Sequence, residues 1–389
     1  NTVRSGLIVI ILCTPFSVFG SEMMWQFNSN VSGTHHENID LLQNPKSNEV
    51  SMRTDFSGIL EYSTPTTAIN AKPTIILNRY SDKSRDSIDR SLTTSFSYTT
   101  EKSVFNFSTD TKRDTSYSSE LTTTGYIDKK KNRKSDLYSP SLTYYIDEFS
   151  SIFLSHSFTD VDYINGVSAG LFDYRYKNNR ISYSRYTNSV GSVRVTYADI
   201  SQDIDLLTNK YQTKSLSLGI SDKLSQTLSY SADVGISRYK TSIGYANFNS
   251  SDRGWVTDLS IAKQYSQSNL KIGASKNVTP SGGGYMILRN QLNLDYKYQL
   301  TEHITTNFYG TALKNTRKSE AGTFNRYYGS ADIGLNYNFE SNWNISFHIK
   351  HRKNHSEEGI PAKDNMIMFK VSYFGQKTPI KNVNGNTDF

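Results

Sequence analysis

Between Tyr327 and Arg352 every second residue is apolar, small or aromatic: Tyr327, Gly329, Ala331, Ile333, Leu335, Tyr337 and Phe339. Between them lie Tyr328, Ser330, Asp332, Gly334, Asn336 and Asn338. Glu340, Ser341 and Asn342 interrupt, and Trp343, Ile345, Phe347 and Ile349 then alternate with Asn344, Ser346, His348, Lys350 and Arg352. A period of two puts successive side chains on opposite faces of a strand. The stretch therefore predicts a β-hairpin with one apolar, aromatic-ended face and one polar face.

The pattern recurs along the chain. Trp25, Phe27 and Val31 open it, and Val50 to Tyr62 alternates up to a turn at Thr64-Pro65-Thr66. Ile69, Ala71, Ile75 and Leu77 share a face of the next strand. Pro73 lies within that strand and has no N–H for a ladder, which counts against a strand there unless the proline sits at a bulge. Further turns are predicted at Glu101-Lys102, Asp147-Glu148, Asn188–Gly191, Asp222-Lys223, Ser266–Ser268 and Thr301–His303. Ile367, Phe369, Val371 and Tyr373 form the last strand. Residues 34–48 and 113–132 read as polar loops. The total is roughly 18 strands (16 is the alternative), with short turns alternating with longer polar loops.

No 3.6-residue apolar stripe appears, and a mean hydropathy of -0.57 excludes a bundle of membrane helices. It does not exclude a barrel, in which only one face of each strand meets lipid. A propeller would need a strong repeat of about 40–50 residues, which is absent. An unpaired strand edge cannot sit in hydrocarbon, so a spanning sheet must close. The expected fold is therefore all-β: a transmembrane antiparallel up-and-down β-barrel of the Gram-negative outer membrane, with short turns periplasmic and long loops outside.

Residues 1–20, with Arg4 followed by an apolar run from Gly6 to Gly20, read as a secretory signal peptide too short to span a bilayer. The single cysteine, Cys13, lies inside it, so the mature chain has no disulfide or cysteine metal site. Residues 21–374 are expected to form the barrel and 375–389 a loose periplasmic tail.

Aromatics beside the short turns suit a girdle at the membrane interface: Tyr62, Tyr98, Tyr144, Tyr265, Tyr298, Tyr337, Phe339, Trp343 and Tyr373. If apolar residues face lipid, the opposite face carries candidate pore-lining charges. These are Arg53, Asp55, Arg194, Asp233, Asp258, Lys271, Arg289, Asp295, Lys297, Arg326, Asp332, His348, Lys350, Arg352 and Lys370. Their basic excess favours anionic or polar cargo; alternatively the charges pair across strands and merely keep the interior wet. The net charge of +7 also suits lipopolysaccharide phosphates outside. Nucleic acid is not an expected partner.

Enzyme constellations are not apparent: there is no nucleophile elbow, phosphate loop or metal cluster, and no cofactor is expected. His35-His36-Glu37 reads as an exposed polar loop rather than a metal site. Gly282-Gly283-Gly284 reads as a flexible loop between strands, since no helix follows to make a phosphate cradle.

Some local patterns resemble a known family. These are Glu37-Asn38-Ile39 after the first strand, Ser139-Pro140-Ser141-Leu142-Thr143-Tyr144 before a short turn, and Asp160 to Tyr163 ahead of Leu171-Phe172-Asp173-Tyr174. The chain resembles, over about residues 25–374, the barrel porins found with exopolysaccharide and exosortase loci. The resemblance implies an 18-stranded outer-membrane porin that serves as the exit for a secreted polysaccharide. It also implies a periplasmic polysaccharide-export protein as partner, and no catalytic residues. The residues themselves leave two other readings open: a diffusion porin for small solutes, and a structural barrel without transport. Protease added to intact cells is expected to cut within residues 113–132; cutting only after lysis would contradict the assigned topology.

Overall fold

The computed structural model of the chain describes residues 22–41, 48–117, 130–244, 248–319, 322–356 and 361–379. The segment read as a signal peptide and most of the 113–132 loop lie outside the described residues. The strands are β1 (Glu22–His36), β2 (Glu49–Ser63), β3 (Thr67–Tyr80), β4 (Ser87–Thr99), β5 (Ser103–Thr115), β6 (Asn132–Tyr145), β7 (Ser150–Tyr163), β8 (Tyr174–Tyr186) and β9 (Ser192–Ile204). They continue with β10 (Asn209–Ser225), β11 (Leu228–Ile243), β12 (Phe248–Gln264), β13 (Ser268–Ser281), β14 (Tyr285–Gln299), β15 (Ile304–Ser319), β16 (Gly322–Glu340), β17 (Trp343–Ser356) and β18 (Ala362–Phe374). Each pairs antiparallel with the next, and β1 closes on β18 from Asn28↔Phe374 to His36↔Met366. The result is a closed barrel of 18 long strands, as the alternation predicts.

Closure sorts the side chains. Ladder partners on one face include Leu335 and Phe347, exposed at 45% and 42%, and Ile333 and Ile349. Apolar side chains exposed in this way recur from strand to strand and form the band that meets lipid. The other face holds buried polar groups such as Ser182, Gln202, Ser346 and Asp364. At the short-turn end the outer face carries an aromatic ladder. Tyr337 stacks on Phe339 (centroids 6.3 Å), Phe339 on Trp343 (6.2 Å), and Trp343 meets Tyr373 at 5.0 Å. Tyr62, Tyr98, Tyr144, Tyr265 and Tyr298 stand at or beside the same end of their strands.

Four local expectations change. Pro73 causes no bulge: the β2–β3 ladder skips Gly58 and Ile59 opposite Lys72 and Pro73, then resumes in the same register. Gly58 stands opposite Pro73, where a Cβ would meet the proline ring at 3.6 Å, an ordinary van der Waals contact. The turn expected at Asp222-Lys223 is strand; both residues pair with β11, a bulge follows, and the chain reverses at 226–227. The β13–β14 and β15–β16 connections, 282–284 and 320–321, are as short as the turns at the other end, so long loops are confined to the first half of the barrel.

The start of the tail is not loose. Gly375 N donates to Phe27 O at 2.7 Å, and the two-residue strand β19 (Thr378–Pro379) pairs with Trp25 and Met24. Lys377 Nζ meets Glu61 Oε2 at 2.7 Å. These contacts extend the seam below β18; residues 380–389 lie outside the described residues.

The band makes a direct prediction. Leu335→Arg, mid-strand on the lipid face, should cost about 2–4 kcal/mol. Asn344→Asp, on the enclosed face, should leave stability nearly unchanged. Urea titration followed by heat-modifiable gel migration would read both, and equal destabilisation would invert the assigned faces.

Candidate channel and its mouth

Strand register places all the predicted charges on the enclosed face. Arg53 and Asp55 lie opposite Ser32 and Asn30 of β1. Arg194 and Asp233 flank Gly219, and Asp258 faces Asp233. Lys271 faces Asp295, Lys297 faces Asn269, and Arg289 faces Asn277. Arg326 and Asp332 face Asn315 and Tyr309. His348, Lys350 and Arg352 face Gly334, Asp332 and Ser330, and Lys370 faces Ser346.

Many are ion-paired. Arg53 Nε meets Asp55 at 2.7 Å, Arg194 Nη2 meets Asp233 at 2.5 Å, and His348 Nδ1 meets Asp332 at 2.8 Å. A Cβ on Gly219 would collide with the Asp233 carboxylate, so this glycine makes room for the Arg194–Asp233 bridge across it. Lys297, Lys350 and Lys370 form no salt bridge among the described residues, and with Arg289 and Arg326 they make the β14–β18 wall basic.

Arg352 has a structural role. It forks onto Asp364, which is fully buried and also accepts Asn38 N at 2.8 Å and lies 3.4 Å from His36 Nδ1. Arg352 Nη2 also donates to Ile39 O at 3.2 Å. This knot ties the start of the first long connection to the β17–β18 wall. His36 is therefore a buried end of β1, not part of an exposed loop, and His35 sits on the opposite face. Outside the spanning strands, Asp86 accepts Tyr80 N (2.8 Å) and Arg79 Nη1 (2.9 Å); these hydrogen bonds hold its carboxyl below the usual range.

The main departure from the expected pattern is the β13–β14 hairpin. β13 pairs with β12 only between Lys276↔Thr257 and Asn269↔Gln264, and β14 leaves β15 beyond Leu288. The tip, residues 281–286, bends across the long-loop end into the barrel. There Phe172 N donates to Gly282 O at 2.8 Å, Gln202 Nε2 to Ser281 O at 3.2 Å, and Tyr211 OH to Gly284 O at 3.0 Å.

The tip docks on buried Val161, Tyr163, Tyr174, Ile204 and Tyr211, with Leu171, Phe172, Tyr176, Leu207, Tyr285 and Met286 packed around them. Each fully buried apolar side chain in such a cluster stabilises by about 1.5–3 kcal/mol. The Asp173 carboxylate accepts Tyr163 N at 2.6 Å and sets the loop that presents Phe172. Gly284 has φ +81°, and a Cβ there would lie 3.0 Å from both Leu207 and Phe172. The glycine run is therefore a pinned turn, not a flexible loop.

Arg317 on β15 also reaches this mouth. Its guanidinium lies 4.3 Å from the Tyr285 ring centre and 5.9 Å from that of Phe324, with no carboxylate in salt-bridge range among the described residues. The sequence reading missed Arg317, Tyr285 and the Val161–Tyr211 cluster, because alternation assigns a face but not a cross-lumen contact. Tyr163, Leu171, Phe172 and Tyr174 lie in the local patterns that carry the family resemblance, and nothing in their spacing marks them as a cluster.

No protein-family model matches the chain, and no curated protein matches it. Solved structures do. A BenF-like porin from Pseudomonas fluorescens Pf-5 superposes with a TM-score of 0.53 at 8% identity, covering 92% of this chain and 99% of that one. Pseudomonas aeruginosa OpdK with vanillate gives 0.51 at 8% identity, covering 91% and 99%. Pseudomonas aeruginosa OccK2 (OpdF) in complex with glucuronate gives 0.52 at 9% identity, covering 90% and 98%. The chain has the fold of outer-membrane porins. A closed barrel with this lipid-facing band resides in the outer membrane of a Gram-negative cell.

The tip is held by separable contacts. Tyr211→Phe with Gln202→Leu removes two hydrogen bonds worth about 0.5–1.5 kcal/mol each. The double variant should conduct more than the parent in planar bilayers. Unchanged conductance would mean that these bonds do not hold the tip.

Proposed function

We propose that the protein is a selective diffusion porin for small organic anions. The observation that carries this reading is Arg317, an exposed guanidinium at the mouth held between two aromatic rings. Across from it stand the tyrosines of the inner cluster, and the β14–β18 wall below supplies lysines and arginines. A basic wall facing an aromatic one suits a solute with a carboxylate and a flat or apolar body. The carboxylate would pass from Arg317 to Arg326, Lys350 and Lys370, exchanging partners rather than binding tightly.

The vanillate and glucuronate of the two superposed porin structures are small carboxylates, which supports the same cargo class here. The porin acts without catalysis in this reading. The reading as a polysaccharide exit, with a periplasmic export partner, rests on the sequence resemblance. The packed mouth weighs against it, since Val161 and Ile204 are each 1% exposed where a polymer would have to pass.

Proteoliposome flux tests the choice. Benzoate and glucuronate should enter faster than neutral sugars of similar size. Arg317→Ala should lower anion flux roughly ten-fold, the equivalent of one lost charge-assisted contact. Equal rates for anions and neutral sugars, in both parent and variant, would sink the proposal. Loss of exopolysaccharide secretion in a deletion strain, without loss of anion uptake, would favour the polymer exit instead.

A further inference from the structure

On the outer face of β10, β11 and β12, just above the apolar band, three cations stand side by side. Lys214 pairs directly with Arg238, and Arg238 with Arg253. Like charges opposite one another in a ladder are destabilising. One acid among the described residues touches the row, Asp199, 3.8 Å from Lys214 and already hydrogen-bonded by Gln212. Among the described residues Arg238 donates only to Ser251 Oγ, at 3.0 Å, and Arg253 has no acidic partner.

A second row at the same end behaves differently. Arg90, Arg113 and Lys134 are also directly paired, but Asp136 lies 3.3 Å from Arg113 and 3.1 Å from Lys134. Among the described residues, one row carries its counter-charge in the protein and the other lacks most of it.

The next outward residues toward the short turns are Leu216, Ile236 and Trp255, exposed at 51%, 59% and 60%. Cations and apolar residues together line a shallow groove of about 540 Å³, with Tyr197 at one end. Its length runs from the headgroup level into the hydrocarbon.

We propose that this groove is a binding site for a phosphorylated, multiply acylated glycolipid of the outer leaflet. Phosphates would bridge Lys214, Arg238 and Arg253, and an acyl chain would lie over Leu216, Ile236 and Trp255. Arginine suits the role, since its planar fork binds phosphate bidentately. The site lies on the outer wall and is independent of the proposed cargo.

The test uses the refolded full chain in detergent and native mass spectrometry. The probes are a bis-phosphorylated hexa-acyl glycolipid, its dephosphorylated form, phosphatidylglycerol and inorganic phosphate. One phosphorylated glycolipid should be retained by the parent. Lys214→Ala/Arg238→Ala/Arg253→Ala should weaken its binding roughly 100-fold, at about one surface-charge contact per residue. Arg90→Ala/Arg113→Ala should leave it unchanged. Heat-modifiable migration confirms that each variant is a folded barrel.

Equal retention by the triple variant, or equal binding of the dephosphorylated lipid, would overturn the site. Tight binding of inorganic phosphate alone would make it a free-anion site. Phosphatidylglycerol binding as well as the glycolipid would overturn the assignment to a glycolipid.

Discussion

Backbone N–H and C=O groups have no partner in hydrocarbon, and this barrel is organised by that fact. Each strand must be bonded on both sides wherever it crosses lipid. The seam shows how strictly this holds. β1 meets β18 from Asn28 to His36, and where β18 ends, Gly375 and β19 continue the bonding down to Met24. A prolyl residue inside the wall is accommodated by a two-residue lapse in the ladder, with Gly58 opposite it and the register kept.

The enclosed face obeys a different rule. Its charges are in a wet space and need not be paired, yet many are, through short links such as Arg194–Asp233. The paired groups lock strands to one another. The lysines left over on β16–β18's side, Lys350 and Lys370, and Arg317 at the mouth are the groups that the proposed anionic cargo would meet. Pairing thus divides the lumen charges into wall fasteners and candidate cargo contacts. The fifteen residues predicted from alternation contain both kinds without distinction.

Alternation made the barrel legible because the lipid band imposes the same two-residue period on all its strands. Strand number, closure, facing and the aromatic ladder from Tyr337 to Tyr373 all follow from it. Turn positions were legible where the apolar pattern stopped, as at 301–303. They failed at Asp222-Lys223, where two charged residues continue a strand beyond the band and so look like a turn. His36 was misplaced for a related reason: it continues β1 beyond the last apolar position and is buried by Asp364, a residue 328 positions away.

The mouth was illegible because it is built from strand segments that lipid does not constrain. β12 and β13 stay paired up to Thr257↔Lys276, and the apolar outward residue next above that level is Trp255. Beyond it the edge of β12 faces polar surroundings, where water can satisfy its N–H and C=O groups at little cost. The β13–β14 hairpin is therefore released from the wall at the point where the membrane ceases to require it. Its tip can exchange ladder bonds for those to Gln202, Tyr211 and Phe172, together with burial against the tyrosine cluster. The hairpin that folds across this end of the barrel is thus permitted by the same constraint that closes it. No period of two can report it, because the contacts that define it run across the lumen rather than along the sheet.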